Sequence, residues 1–204
     1  MPFWAVQFHQ KNGMKNLGLI IIALGLFSQG SAQELETLWS KGGPQVRGAY
    51  GAATQKFSSI DGQFATLLGG YGGVLFTSDW LFGAGAYALL NGNSIDIENE
   101  AGTSRQMTYV GLVAERAFQS HRAIHFTSHL LAGAAFIGEQ NVLPGGGQYS
   151  ISSRGAFALE PGAGIEINLT KWFRINGGVS YRWLVSEADY SAPTATISLK
   201  FGKF

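Results

Sequence analysis

Apolar and polar residues alternate with a period of two over much of this chain, most cleanly between Phe157 and Ser186. From Phe157 to Leu169 the odd positions carry Phe157, Leu159, Pro161, Ala163, Ile165, Ile167 and Leu169. The even positions carry Ala158, Glu160, Gly162, Gly164, Glu166 and Asn168. Thr170, Lys171 and Trp172 interrupt the pattern, which restarts with Phe173, Ile175, Gly177, Val179, Tyr181, Trp183 and Val185 facing Arg174, Asn176, Gly178, Ser180 and Arg182. Alternation of this kind marks a β-strand with two unlike faces, and two such strands with a short connector form a hairpin. The polar face holds mostly Gly, Ser and Asn with a few charges of both signs, and the strands exceed the ~5–6 residues usual in globular sheets. Strands of ~9–11 residues, apolar outward and polar inward, fit a transmembrane β-barrel.

The same reading along the chain yields strand-like segments at 46–56, 63–77, 80–90, 106–116, 123–137, 155–169, 173–186 and 194–204. The connectors alternate in character. Ser78-Asp79, Ala117–Arg122 and Thr170–Trp172 are tight, whereas Asn91–Arg105, Gly138–Arg154 and Glu187–Pro193 are polar and mostly longer, with Phe57–Gly62 the shortest on that side. Short turns at one end and long loops at the other are the asymmetry of an outer-membrane barrel. The expected fold is therefore all-β: an eight-stranded antiparallel up-and-down transmembrane barrel over 45–204. Segments 63–77 and 80–90 are rich in Gly and Ala and apolar on both parities, so their facing stays open. Pro161 cannot donate to a ladder, and a bulge is expected at Glu160-Pro161-Gly162.

Ahead of the barrel, Met14 opens a frame suited to export. Lys15 supplies a positive start, Leu17–Phe27 an apolar core and Gly30-Ser31-Ala32 a small-residue cleavage site, so 14–32 reads as a signal peptide. Its apolar run falls short of the ~20 residues a spanning helix needs. Residues 1–13 read as an upstream extension and 33–44 as a periplasmic lead-in. The full chain of 204 residues has no cysteine and a net charge of +1, which suits an exported protein and argues against a nucleic-acid partner.

Aromatic residues cluster where an interface would place them. Trp80, Phe118, Trp172 and Phe173 flank the short turns and Phe204 ends the chain on the same side, as expected of a membrane-interface girdle. The closing stretch Thr194–Phe204 has the terminal phenylalanine typical of Gram-negative outer-membrane barrels. Together with Phe57–Phe64, Ile124-His125-Phe126, Lys171-Trp172-Phe173-Arg174 and Ser180-Tyr181-Arg182, it resembles an uncharacterised family of small outer-membrane barrels of the OmpA-type architecture. The resemblance implies an outer-membrane location, a lipid and lipopolysaccharide environment, and reading of the C-terminal strand by the barrel-assembly machinery; it implies no activity and no cofactor. Ile197, Leu199 and Phe201 lie on the parity opposite to Phe204, so either Phe204 turns at the rim or a bulge shifts the phase.

The inward set holds the candidate chemistry: Glu115, His125, His129, Glu160, Glu166, Arg174, Arg182 and Lys200. A three-residue turn at Thr170–Trp172 sets Glu160 against Arg182, Asn168 against Arg174 and Glu166 against Asn176, and the turn at Ala117–Arg122 sets Glu115 near His125. Opposite charges in a narrow lumen should pair, because a buried unpaired charge is costly. The favoured reading is an electrostatic plug in a non-enzymatic structural or surface-interaction protein. A gate over a narrow pore and a lipid-A-modifying enzyme are the rivals, and eight strands leave little room for a channel. His125 and His129, four residues apart on a strand, span ~13 Å and cannot share a metal ion. Gly83-Ala84-Gly85-Ala86-Tyr87-Ala88 mimics a dinucleotide fingerprint but lacks the helix it requires. Asp61, Asp96, Glu98, Glu100, Glu139, Glu187 and Asp189 make the long loops acidic, which suits solvation or divalent-cation bridging to lipopolysaccharide phosphates.

Overall fold

A computed structural model describes residues 45–92, 103–142 and 148–204. The expected extension, signal peptide and lead-in lie outside the described residues, as do Asp96, Glu98 and Glu100. The strands are β1 Val46–Ile60, β2 Gln63–Phe76, β3 Trp80–Leu89, β4 Thr103–Phe118, β5 Ile124–Val142, β6 Gln148–Asn168, β7 Phe173–Leu184 and β8 Ala192–Lys203. Each pairs antiparallel with the next, and β1 pairs antiparallel with β8, so the sheet closes on itself in sequence order. Closure leaves no edge strand with unpaired backbone groups, which is what lets a sheet sit in hydrocarbon.

One face of every strand points outward and is apolar. Phe64, Phe82, Leu112, Phe126, Val179 and Trp183 are each more than half exposed. The other face is buried in the barrel. On β2 and β3 it is the odd positions that turn inward, with Leu67, Leu75, Leu81 and Tyr87 buried and Phe64, Leu68, Val74 and Phe82 outside. These strands look apolar on both parities because the lumen itself holds an apolar cluster including Ile60, Leu67, Leu81, Met107, Leu131, Ile137 and Leu184. No period-two pattern can separate lipid-facing from lumen-facing leucines.

Three short turns gather at one end: after β2, between β4 and β5, and between β6 and β7. Positive φ angles at Asp79 and Gln119 make two of these reversals. At the opposite end β1 runs on to Ile60, past the expected limit at Lys56, and returns through Asp61-Gly62. Both turn residues have positive φ, 51° and 72°, which an Asp-Gly pair accepts readily in a two-residue hairpin. The β7–β8 connection contains one 3-10 turn at Ala188–Tyr190.

Pro161 causes no bulge. Its β5 partner is Leu130 in an unbroken register, and the β6–β7 register is the same on both sides of it, Leu159 against Trp183 and Gly162 against Ser180. Pairing with β7 simply lapses at Glu160 and Pro161, because a proline without an N–H removes a ladder bond without adding a residue. The register shifts that do occur lie between Val46 and Gly48 and between Glu139 and Gln140, near the strand ends.

Candidate functional site: the barrel lumen

The inward parity of β1, β4, β5, β6, β7 and β8 carries charged and histidine side chains into a space only a few side chains wide, and there they form two clusters. The first lies toward the short-turn end. Lys200 on β8 donates to Glu115 on β4 at 2.5 Å and also to Glu166 on β6. Glu166 accepts from Arg174 at 2.9 Å and contacts His125 Nε2 at 3.1 Å. The other ring nitrogen of His125 lies 3.2 Å from the Arg122 carbonyl. Glu115 accepts two tyrosine hydroxyls, from Tyr50 at 2.6 Å and Tyr71 at 2.5 Å. Two carboxylates thus face two fixed cations, Lys200 and Arg174.

The second cluster lies further along the lumen. Lys56 on β1 donates to Glu160 on β6 at 2.7 Å and to the Tyr109 hydroxyl at 2.9 Å. Tyr109 donates to the other Glu160 oxygen at 2.7 Å, and Ser180 donates to Glu160 at 2.6 Å. The Lys56 ammonium also sits 3.6 Å from the centre of the Tyr87 ring. Lys200, Glu160 and Arg182 have no exposed surface. Ionised groups this deep are tolerable only when charge and hydrogen bonding are both met, and each carboxylate here has several donors. Between the clusters, Thr54 bonds Ser198 at 2.9 Å and Asn176 bonds Thr127 at 2.8 Å. A cavity of about 20 Å³ remains there, bordered by Lys56, His129, Asn176 and Ser198. It has room for roughly one water molecule.

Some expected pairs differ. Glu160 does not pair with Arg182. The β6–β7 register would place them side by side, but Glu160 reaches across to Lys56, and Arg182 donates to the backbone carbonyls of Tyr190 at 2.8 Å and Ser59 at 3.0 Å. Glu115 lies opposite His129, not His125, because β4 extends to Phe118 and the turn begins only at Gln119. Asn168 against Arg174 and Glu166 against Asn176 are in register. His129 is half-buried beside the cavity, its ring against Gly162. Among the described residues no group of three or more His, Asp or Glu side chains is placed to hold a metal ion.

Lys56 escaped the sequence reading, although the signal existed. Tyr50, Ala52, Thr54 and Lys56 share one parity, and the exposed Phe57 closes the other. Ending the strand at Lys56 sets that residue at the rim, whereas β1 continues to Ile60 and carries it into the lumen. The tyrosine partners of Glu115 carried no such signal, since they come from β1 and β2 across the lumen, and pairing of neighbours cannot reveal them.

Around the short turns, Trp80 stacks on Phe82 with ring centres 5.7 Å apart, and Trp172 lies 5.8 Å from Phe173 and 6.2 Å from Phe201. Phe118 and Trp172 are exposed on the outside. Phe204 is not part of this outer set. It keeps the inward parity of β8, packs against Tyr50 with ring centres 4.8 Å apart and planes tilted by 35°, and lies under the Arg174 guanidinium at 3.8 Å, at the short-turn mouth. At the loop end, Arg105 pairs with Asp61 at 2.9 Å and lies over Tyr190. Burial pushes the Tyr190 hydroxyl above the usual tyrosine range, while Arg105 pulls it the other way.

Comparison with solved structures returns small barrels. The N-terminal β-barrel domain of Pseudomonas aeruginosa OprF superposes with a TM-score of 0.53 at 16% identity, covering 78% of this chain and 99% of that one. Ail, the attachment invasion locus protein of Yersinia pestis, gives 0.51 at 18% identity, with 78% and 99% coverage. Neisserial surface protein A gives 0.52 at 14% identity, with 79% and 99% coverage. At these identities the likeness establishes the fold alone. No curated protein sequence matches. The family model for the outer membrane protein beta-barrel domain matches residues 19–202. With that match spanning most of the chain, and the closed eight-stranded sheet already in view, the protein belongs to the outer membrane protein beta-barrel domain family and resides in the bacterial outer membrane.

Proposed function

We propose that the protein is a non-enzymatic outer-membrane barrel whose lumen is plugged by charge, and that its role is structural or exercised at the cell surface through its loops. The observation that carries this reading is the neutralisation inside the barrel. Glu115 and Glu166 are met by Lys200 and Arg174, and Glu160 is met by Lys56. A conduit would need solvated charges lining a continuous path, whereas these groups spend their hydrogen bonds on one another. Placing the short turns in the periplasm, as such barrels do, leaves the long loops outside against lipopolysaccharide. Trp80, Phe118, Trp172 and Phe173 then belong to the periplasmic-side girdle. The C-terminal strand β8, which seals against β1, is the segment offered to the assembly machinery.

Several loop acids are already engaged. Asp61 pairs with Arg105, and Glu139 and Glu187 flank Arg154 at 2.7 and 3.6 Å. Cation bridging to lipopolysaccharide therefore rests on Asp189 and on Asp96, Glu98 and Glu100. The test of the plug is planar-bilayer recording of purified wild-type protein. It should show no conductance above background, and a steady open level would overturn the plug in favour of a pore. Mass spectrometry of lipid A after overexpression should show unchanged acylation, and a lost or added chain would establish an enzyme.

A further inference from the structure

The β2–β3 and β4–β5 turns bound a cleft of about 420 Å³ on the rim of the barrel at the short-turn end. Its outer wall is apolar and faces lipid, with Phe118, Ile124 and Phe126 respectively 42%, 62% and 68% exposed. Two arginines, Arg116 and Arg122, line the same cleft. Arg116 is exposed on the outer face of β4, the face that carries Leu112 and Phe118. Its guanidinium carbon lies 5.5 Å from the centre of the Trp80 ring and 5.0 Å from that of Phe118. Among the described residues neither arginine makes an ion pair. The acid on the cleft wall, Asp79, is occupied by Arg47 at 2.7 Å and by Ser120 at 2.8 Å.

An arginine on the lipid face of a barrel strand is costly near the midplane and tolerable at headgroup depth, where aromatic rings hold its plane and a phosphate can answer its charge. We propose that this cleft binds an anionic phospholipid of the leaflet that meets the short-turn end. Arg116 and Arg122 hold the headgroup phosphate, and an acyl chain lies along Phe118, Ile124 and Phe126. The headgroup is anionic because two arginines face it, while the carboxylate that could receive a headgroup ammonium, Asp79, already has its charge paired with Arg47. Free inorganic phosphate would leave the apolar wall unused. Lys171 and Lys203, exposed at the same end, add positive potential without lining the cleft. The assignment stands apart from the state of the lumen.

Native mass spectrometry of the protein in detergent micelles tests it, with dioleoylphosphatidylglycerol and dioleoylphosphatidylcholine as probes and inorganic phosphate as competitor. Wild type should retain the glycerol lipid in preference to the choline lipid, and phosphate should not displace it. R116Q/R122Q should weaken retention by about ten- to thirtyfold, the effect expected of two cations near a lipid phosphate, while K171Q, outside the cleft, weakens it far less. The single R122Q, in the turn and outside any strand, should lose about three- to fivefold and gives the result even if the double variant folds poorly. Equal retention of both lipids, equal loss in K171Q, no loss in R122Q, or displacement by inorganic phosphate would each overturn the assignment.

Discussion

Lys56 on β1 and Glu160 on β6 form an ion pair at 2.7 Å although neither strand neighbours the other in the sheet. The bond crosses the lumen, so it ties opposite walls where backbone pairing cannot. Removing one member leaves a buried charge without its partner, a loss of about 3–5 kcal/mol. Lys56→Met and Glu160→Gln should each destabilise the barrel by that order in urea unfolding from lipid vesicles. K56M/E160Q should cost clearly less than the sum of the two. Strict additivity would mean the two groups do not depend on each other.

Lys200 is the one cation in contact with both Glu115 and Glu166 among the described residues. Lys200→Met therefore leaves two carboxylates facing each other in the same cluster, with Arg174 on Glu166 only. Its cost should exceed that of Arg174→Gln, since Arg174 sits at the mouth over the Phe204 ring, where water can take its place. Vesicle unfolding again provides the measurement. Equal losses would show that Lys200 does not organise the cluster.

Gly162 makes room for a histidine ring. A Cβ at this position would stand 2.7 Å from His129 Nε2 and 2.8 Å from the Ser180 Cβ. Gly162→Ala should cost about 1–3 kcal/mol, the usual range for overpacking a filled interior. G162A/H129A should recover most of it, and failure to recover would place the strain elsewhere in the strand.

How much of this was legible beforehand depends on which physical signal each residue obeys. The hairpin of β6 and β7 was plain because lipid on one side and a polar lumen on the other impose strict alternation, as Ile165 and Glu166 show. The facing of β2 and β3 was not, because the lumen near Leu67 and Leu81 is itself apolar. Register could be counted across the three-residue β6–β7 turn, which put Glu166 opposite Asn176, but not across the longer β4–β5 turn, where Glu115 meets His129. Side-chain partners could not, because Glu160 and Arg182 choose between a neighbour, the far wall and the backbone. Phe204 shows the same limit: its parity was readable, but the space it fills between Tyr50 and Arg174 exists only once the barrel has closed.

Arg182 fastens the loop end. Its two carbonyl acceptors, on Tyr190 and Ser59, belong to the β7–β8 connection and to β1. Arg182→Met should loosen that connection while leaving the ion pairs below it intact. Limited proteolysis of the folded protein should then cut within 185–191, where wild type resists. Equal resistance in both would show that the clamp is dispensable.

The partners of the lumen charges are far apart in the chain: Lys56 and Glu160 are separated by 104 positions, and Lys200 and Glu115 by 85. A half-inserted chain, with β1 delivered and β6 still to come, holds a bare ammonium at the edge of hydrocarbon. The last strand brings the lysine that quiets two carboxylates already waiting. Closing of the ring by β8 thus brings the last of these interior charges to its partners.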